Sequence, residues 1–543
     1  MNRSVKHVEF IDHLRGIAII SVLFFHALST LFGYDRLPWK GWFRDFHTSG
    51  DSFLYFLPFS VGNVGVPIFF VVSGFCIHMS FHQQGQRWGS FFIRRIFRIY
   101  PAYLAALVFT SLLLYSAHIG FNFHRPENWK QILTHLFLIH NLGPQTLSGL
   151  NGPFWSLAIE AQLYLLYPAL LVLVAKLGWR RSMFLLGVVE LLIRGTDGLI
   201  RGTDGVVPTI DDTNTPAGHI SWLFASSPLG YWFSWSLGAF IADAFLKNQT
   251  LPFAKISPVW WLALAIVSYF VKPLTHFHFL LFALTTAVVV SKLLSGARPE
   301  IKVPPFLLVV LKKIGLWSYS IYLLHWQLLQ NYSYFIDWVV PAKFRSVPVG
   351  FLLVLATWLP TILLAFLWYR FFERPGIALG KRIIQKANFR DGTKVESESS
   401  NGGSQAWIVA GRYYLMLCAL LAIVFGSLLI SEKLIAPPPA EYNEVAWSLA
   451  TSPEATNRDG ALAVELAEDA CQRTQYKETV MVGTLAAAYA EAGRFDEAIL
   501  TAQQACALAK KNGETNLLQE NQELLALYQK HQPFRDLKAD TRK

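Results

Sequence analysis

Asp12-His13-Leu14-Arg15-Gly16-Ile17-Ala18-Ile19-Ile20-Ser21-Val22-Leu23-Phe24-Phe25-His26 opens the first apolar stretch of the chain and carries Arg15 and His26 eleven residues apart. At about 100° per residue that separation makes roughly three turns, so both side chains share one helix face. A rise of about 1.5 Å per residue puts them ~16 Å apart, half the depth of a ~30 Å hydrocarbon core. If Arg15 marks the membrane edge, the imidazole of His26 sits near mid-depth, where an ionisable group is costly and points to function. The plainer alternative is an edge-anchoring arginine and a histidine bonded to a neighbouring helix.

The rest of the chain decides that the stretch is a membrane helix. Of 543 residues, 53% are hydrophobic and 15% aromatic, and only 15% are charged, against about 25% in an ordinary soluble domain. Mean hydropathy is +0.35. Apolar runs long enough to span fall at about 14–33, 53–79, 91–118, 155–177, 219–246, 257–272, 275–294, 314–334, 347–371 and 407–430. A shorter run, 182–193, crosses if neighbouring helices bury its ends. The expected fold is therefore all-α, a polytopic bundle with a ten-helix core and an eleventh helix.

The net charge of +11 belongs to topology rather than to nucleic-acid binding, because Lys and Arg concentrate in alternate short loops. With the N-terminus inside, the inner loops hold Arg87, Arg94, Arg95 and Arg98, then Lys176, Arg180 and Arg181, and later Lys312, Lys313, Arg370, Arg374, Lys381 and Arg382. Outer loops are poorer. No short apolar segment followed by a small-residue cleavage site reads as a removable signal peptide. Four cysteines, without metal spacing, exclude a disulfide scaffold and suggest no metal site. The heptapeptide Leu192–Gly198 recurs at once as Leu199–Gly205, which reads as a solvated outer loop.

Beyond the bundle, residues 381–406 are expected as a flexible linker, 407–431 as the eleventh helix, and 441–531 as a small α-helical repeat domain. Leu485, Ala486, Tyr489, Gly493, Phe495, Ala498, Ala502 and Ala505 follow the tetratricopeptide pattern, in which small residues let antiparallel helices pack closely. Ala463, Ala467, Ala470 and Cys471 repeat thirty-five residues before Ala498, Ala502, Ala505 and Cys506. Two hairpins and a capping helix around 516–530 follow, and an outward eleventh helix makes this domain extracytoplasmic. Stacked hairpins present a groove, so a protein or peptide partner is expected.

Within the core, several motifs carry ionisable groups to places where packing does not need them. Gly62 to Phe75 (GNVGVPIFFVVSGF) opens the second span with small residues at 62, 65 and 74 and a polar Ser73. Arg94-Arg95-Ile96-Phe97-Arg98-Ile99-Tyr100-Pro101 sets three arginines at an inner edge, an anchor and also a clamp suited to phosphates. Trp155 to Tyr164 places Glu160 ~7 Å below the outer interface. Ser318 to Trp326 places His325 ~18 Å beyond Lys313, again near mid-depth. Phe371-Phe372-Glu373-Arg374-Pro375-Gly376 closes the tenth span.

This ordered set resembles the membrane-bound acyltransferase 3 family over residues 6–380. The resemblance implies a cell-surface O-acyltransferase of the cytoplasmic membrane, with acyl-coenzyme A, acetyl first, as donor substrate and no tightly bound cofactor. It implies a glycan or other cell-envelope acceptor. Arg94, Arg95 and Arg98 would hold the donor's phosphates, and His26 would act as general base. Arg15 would position the donor, Glu160 would serve the acceptor hydroxyl or a proton relay, and His325 would be a second acid/base. A rival reading is a proton-coupled exporter of a small acid or glycan; another is a membrane anchor that displays the repeat domain.

Overall fold

The computed structural model describes residues 9–32, 61–83, 87–116, 126–143, 149–201, 223–268, 271–296, 303–340, 347–390, 439–455 and 458–536, apart from isolated positions within or between these stretches. Among the described residues every regular element is helical. The chain divides into two compact units, Met1–Gly426 and Ser427–Lys543.

The first unit contains α1 (Glu9–Phe32), α2 (Gly65–Gln83), α3 (Trp88–Ser116), α4 (Pro126–Leu136), α5 (Phe154–Arg201), α6 (Trp232–Leu246) and α7 (Pro258–Val267), followed by α8 (His278–Leu294), α9 (Pro305–Val339), α10 (Val347–Trp368) and α11 (Arg374–Arg390). A single π-helical turn, Tyr369–Glu373, joins the last two. Six helical stretches, from α1, α2, α3, α5, α9 and the α10–α11 run, are long and apolar enough to cross a membrane, while α7 and α8 are shorter apolar helices. Trp260, Phe184 and Leu359 are 78%, 70% and 75% exposed, as side chains facing hydrocarbon tails must be.

Glycines let the backbones meet. A Cβ on Gly16 would collide with the Leu311 carbonyl, and one on Gly315 with the Asp12 carbonyl. Those two contacts put α1 and α9 side by side, and the approach of the His26 and His325 rings to 5.1 Å makes the pair parallel. Each histidine lies ten residues beyond its glycine, 16 to 26 and 315 to 325, so this register brings His26 and His325 to one level. Gly62 and Gly65 face Ser21 and Ala18 of α1, which fixes α2 antiparallel to it. Gly74 meets the Trp235 carbonyl and Gly238 the Val71 carbonyl, locking α2 to α6. The small residues singled out at 62, 65 and 74 thus sit at backbone contacts.

One break is located and two expectations are amended. The runs 155–177 and 182–193 lie in two helices that meet at a kink, where Gly178 (φ 75°) is non-helical. The positive φ suits glycine, and this one residue separates the two runs. The first copy of the duplicated heptapeptide is not a solvated loop: it is helical and ties into the bundle. Arg194 donates to Glu190 Oε1 from both Nε (3.0 Å) and Nη2 (2.9 Å) and caps the Gly230 carbonyl at 2.8 Å. Asp197 pairs with His276 at 3.3 Å, so burial here is matched by partners. Most of the second copy lies outside the described residues. Finally, 381–390, expected as the start of the linker, is the end of α11. Residues 391–406 and the expected eleventh helix, 407–431, lie outside the described residues.

The second unit contains α12 (Pro439–Thr451), α13 (Gly460–Arg473), α14 (Thr479–Glu491), α15 (Phe495–Asn512) and α16 (Thr515–Tyr528). Asp459 caps α13 by accepting from the Leu462 N–H at 2.9 Å. Gly513 ends α15 in the left-handed region, φ 74°. Ala463, Ala467, Ala498, Ala502 and Ala505 are all buried in the core with Leu485, Val482 and Tyr528. Cys471 and Cys506 are free thiols, as is Cys76 in the first unit.

Candidate active site

A cavity of about 590 Å³ opens among α1, α2, α3, α5, α9 and α11. Five of the seven residues singled out from the sequence line it: Arg15, Arg94, Arg95, Arg98 and Glu160. Asp12 and Lys381 join them, so five cations face two carboxylates across the same space. Glu160, expected outward of the arginines, lines the same cavity as they do.

The arginines are held differently. Arg98 Nη1 meets Glu373 Oε1 at 2.9 Å, and Ser320 donates to Glu373 Oε2 at 2.7 Å. Glu373 is fully buried, so this pair sets Arg98 rigidly. Arg15 Nη1 stands 3.9 Å from Asp12 Oδ1, a loose pair one turn apart. Arg95 reaches Ser80 Oγ only at 3.4 Å. Nε and Nη2 of Arg94 and Nε of Arg95 are buried without a hydrogen-bond partner among the described residues. Buried donors on a charged group are costly when unsatisfied, so this end of the cavity has donors to offer an anion.

Polar side chains run along the wall from there. Tyr164 donates to Glu160 Oε1 at 2.5 Å, and its hydroxyl lies 3.3 Å from Ser73 Oγ, which accepts from Trp235 Nε1 at 3.2 Å. Tyr319 donates to the Ile99 carbonyl at 2.9 Å, fastening α9 to α3. Ser156 Oγ and the Tyr322 hydroxyl are 2.7 Å apart, and Tyr322 also contacts the Pro153 carbonyl.

His26 and His325 are brought together, though they do not line this cavity. Their ring centroids are 5.1 Å apart, and the Trp326 ring stands 5.1 Å from His26. Tyr322, which does line the cavity, has its ring 5.5 Å from His325. It is common to the cavity lining and the surroundings of the histidine pair. His325 Nδ1 lies 2.8 Å from the Tyr322 carbonyl. A carbonyl only accepts, so Nδ1 carries the hydrogen and Nε2 the lone pair. That Nε2 is buried and has no hydrogen-bond partner among the described residues.

Sequence reasoning gave no role to Asp12, Tyr164, Tyr322 or Glu373. Each stands inside a motif quoted above, and the signal was a polar residue at helical spacing from a singled-out charge: Asp12 before Arg15, Tyr164 after Glu160, Tyr322 before His325. The Arg98–Glu373 pair left no such trace, since its members are 275 residues apart.

Comparison with known proteins agrees with the constellation. The Acyl_transf_3 family, an acyltransferase domain, matches residues 8–369. Over 193 residues the chain is 31% identical to the peptidoglycan O-acetyltransferase OatA of Listeria monocytogenes, covering 32% of this chain and 25% of that protein. Over 424 residues it is 24% identical to a putative O-acetyltransferase of Staphylococcus aureus, covering 72% of this chain and 60% of that one. Over 124 residues it is 28% identical to the acyltransferase MdmB of Streptomyces mycarofaciens, covering 22% and 32%. The matched stretches therefore span between a quarter and three fifths of these relatives' own length. No solved structure matches.

Proposed function

From the premise that this chain belongs to the Acyl_transf_3 acyltransferase family, we propose that it is a multi-pass membrane O-acyltransferase that moves an acetyl group from acetyl-coenzyme A to a hydroxyl of a cell-envelope glycan. The observation that carries this reading is the cation-lined cavity, with unsatisfied guanidinium donors at one end and a tyrosine leading to paired histidines at another. Arg94, Arg95 and Lys381 take the donor's phosphates, and guanidinium groups suit them because they bind phosphate oxygens bidentately. Arg98, fixed by Glu373, orients what they hold.

The reaction balances simply. The acceptor hydroxyl oxygen attacks the thioester carbonyl carbon while His26 takes its proton. The carbon–sulfur bond then breaks, and the coenzyme thiolate recovers the proton, leaving an ester and free thiol. His325, with its Nε2 lone pair set by Tyr322, relays protons to and from His26. Tyr164 occupies one oxygen of Glu160, and the other accepts from the sugar hydroxyl. The glycan acceptor is supported by the name of the Listeria relative, a peptidoglycan O-acetyltransferase. The second unit fits a tetratricopeptide-like scaffold for a protein or peptide partner. A ten-crossing core with an inside N-terminus and an eleventh outward helix would set that unit outside the cytoplasmic membrane.

Proteoliposomes given radiolabelled acetyl-coenzyme A and a peptidoglycan fragment test the reading. Free coenzyme A and alkali-labile label on the glycan are expected. Export of the glycan with no consumption of donor would replace the transferase by a transporter.

A further inference from the structure

Toward the C-terminal ends of α2 and α6, His78, His82 and Asp243, none of which lines the cavity, bring one ligand atom each within 4.8 Å of one another. We propose that these three side chains bind a divalent transition-metal ion of the zinc class, which staples α2 to α6. The proposal is independent of the acyl-transfer reading.

His78 and His82 are four residues apart on one helix, so both rings leave the same face. Paired histidines at that spacing chelate zinc in helical metal sites. Their centroids stand 4.3 Å apart. From α6, Asp243 Oδ1 lies 3.3 Å from His78 Nε2. That is long for a charge-assisted hydrogen bond, which runs about 2.7–2.9 Å. It matches two donors sharing a tetrahedral ion, since bonds of about 2.0–2.2 Å put neighbouring donors ~3.4 Å apart.

The surroundings already have the form of a metal centre's outer support. The Tyr167 hydroxyl lies 3.1 Å from His78 Nδ1, so it fixes the ring and leaves Nε2 for a metal. Lys247 Nζ holds Asp243 Oδ2 at 2.8 Å, leaving Oδ1 as a single-oxygen ligand. His78 and Asp243 are buried, and half-buried His82 forms the entry side. Three protein ligands leave a fourth position for water. The glycine contacts at 74 and 238 and the Trp235–Ser73 hydrogen bond hold the two helices at this spacing. The site is therefore assembled before any ion arrives. Imidazole donors select zinc-class ions over magnesium.

The full-length protein, purified in detergent through a tag without histidines and stripped with chelator, is loaded with Zn²⁺ and dialysed. About one zinc per chain by elemental analysis, with a raised unfolding midpoint, is expected. His82→Ala, at the half-exposed member, should keep native helicity and lose retention roughly tenfold or more, together with the midpoint shift. Asp243→Asn should behave likewise. Zinc content no higher than a detergent blank, equal retention by His82→Ala, or the same midpoint shift with Mg²⁺ would each overturn the proposal.

Discussion

Arg98 and Glu373 form the pair whose disruption should be most visible in stability. Removing one partner of a buried ion pair strands the other, at about 3–5 kcal/mol. Glu373 is fully buried while the Arg98 side chain is 29% exposed. Arg98→Ala, which strands the buried carboxylate, should therefore cost about 3 kcal/mol, the low end of that range. Glu373→Gln, which strands the wetter partner, should cost clearly less. The double variant should recover part of the loss, measured as a cycle of unfolding midpoints in detergent. Strict additivity would mean that the two side chains do not interact. Among the reacting groups, His26→Ala should lower kcat by about 10²–10⁴-fold with the unfolding midpoint little changed. Retained turnover would make His26 structural. Arg94→Ala should raise KM for the donor and leave kcat nearly intact, the signature of binding shared by ground and transition states. The sequence made the arginines and both histidines visible because a charge in an apolar run has no packing reason to be there. It hid Glu373's role, because only the folded bundle brings α3 and the π-helical turn together.

At the scale of elements, the α1–α9 crossing aligns the histidines, and two glycines make it possible. Gly315→Ala drives a methyl into the Asp12 carbonyl, so it should cost about 1–3 kcal/mol and lower kcat further by shifting His325. Gly89→Ala, where a Cβ meets open space, is the control that should change neither. A second element-scale consequence concerns α4, which is not among the membrane-span candidates. His135 and His140 stack at 3.8 Å, nearly parallel, and burial holds His135 down to about 4 and His140 well below its ordinary value. The unfolded chain binds protons near 6.5 and the folded one does not. Stability is thus full above pH 6.5 and falls as pH drops towards 4, by at most about 3 kcal/mol for His135. Midpoints measured between pH 7.5 and 5 should show this decline, and His135→Gln should flatten it. Apolar periodicity made the helices legible, since the runs near 14–33, 91–118, 275–294 and 347–371 all contain helix. It separated the runs 155–177 and 182–193 but could not show that the backbone breaks between them at Gly178. Nor could it show that the heptapeptide's Asp197 finds His276, because a partner that distant in sequence leaves no local pattern; only the Glu190–Arg194 pair, one helical turn apart, was open to local reading.

For the whole molecule, the decisive property is the division into a lipid-facing bundle and a second unit with its own core. The second unit's buried set, Ala446, Ala463, Ala467, Ala486, Ala498, Ala502 and Ala505 around Leu485 and Tyr528, is drawn wholly from its own five helices. Residues 427–543, expressed alone, should therefore be helical and melt cooperatively. The two cysteines report native packing rather than mere helicity. Cys471 is fully buried, and burial pushes its thiol up to about 12, whereas Cys506 is partly exposed and raised less. The thiolate is the reactive form. At pH 8 a maleimide should therefore label Cys506 and spare Cys471 in the folded fragment, and label both once urea unfolds it. The same pattern in the full-length protein would mean that the bundle contributes nothing to this core. Rapid labelling of Cys471 in the isolated fragment, beside protection in the whole chain, would make the two units one folding entity.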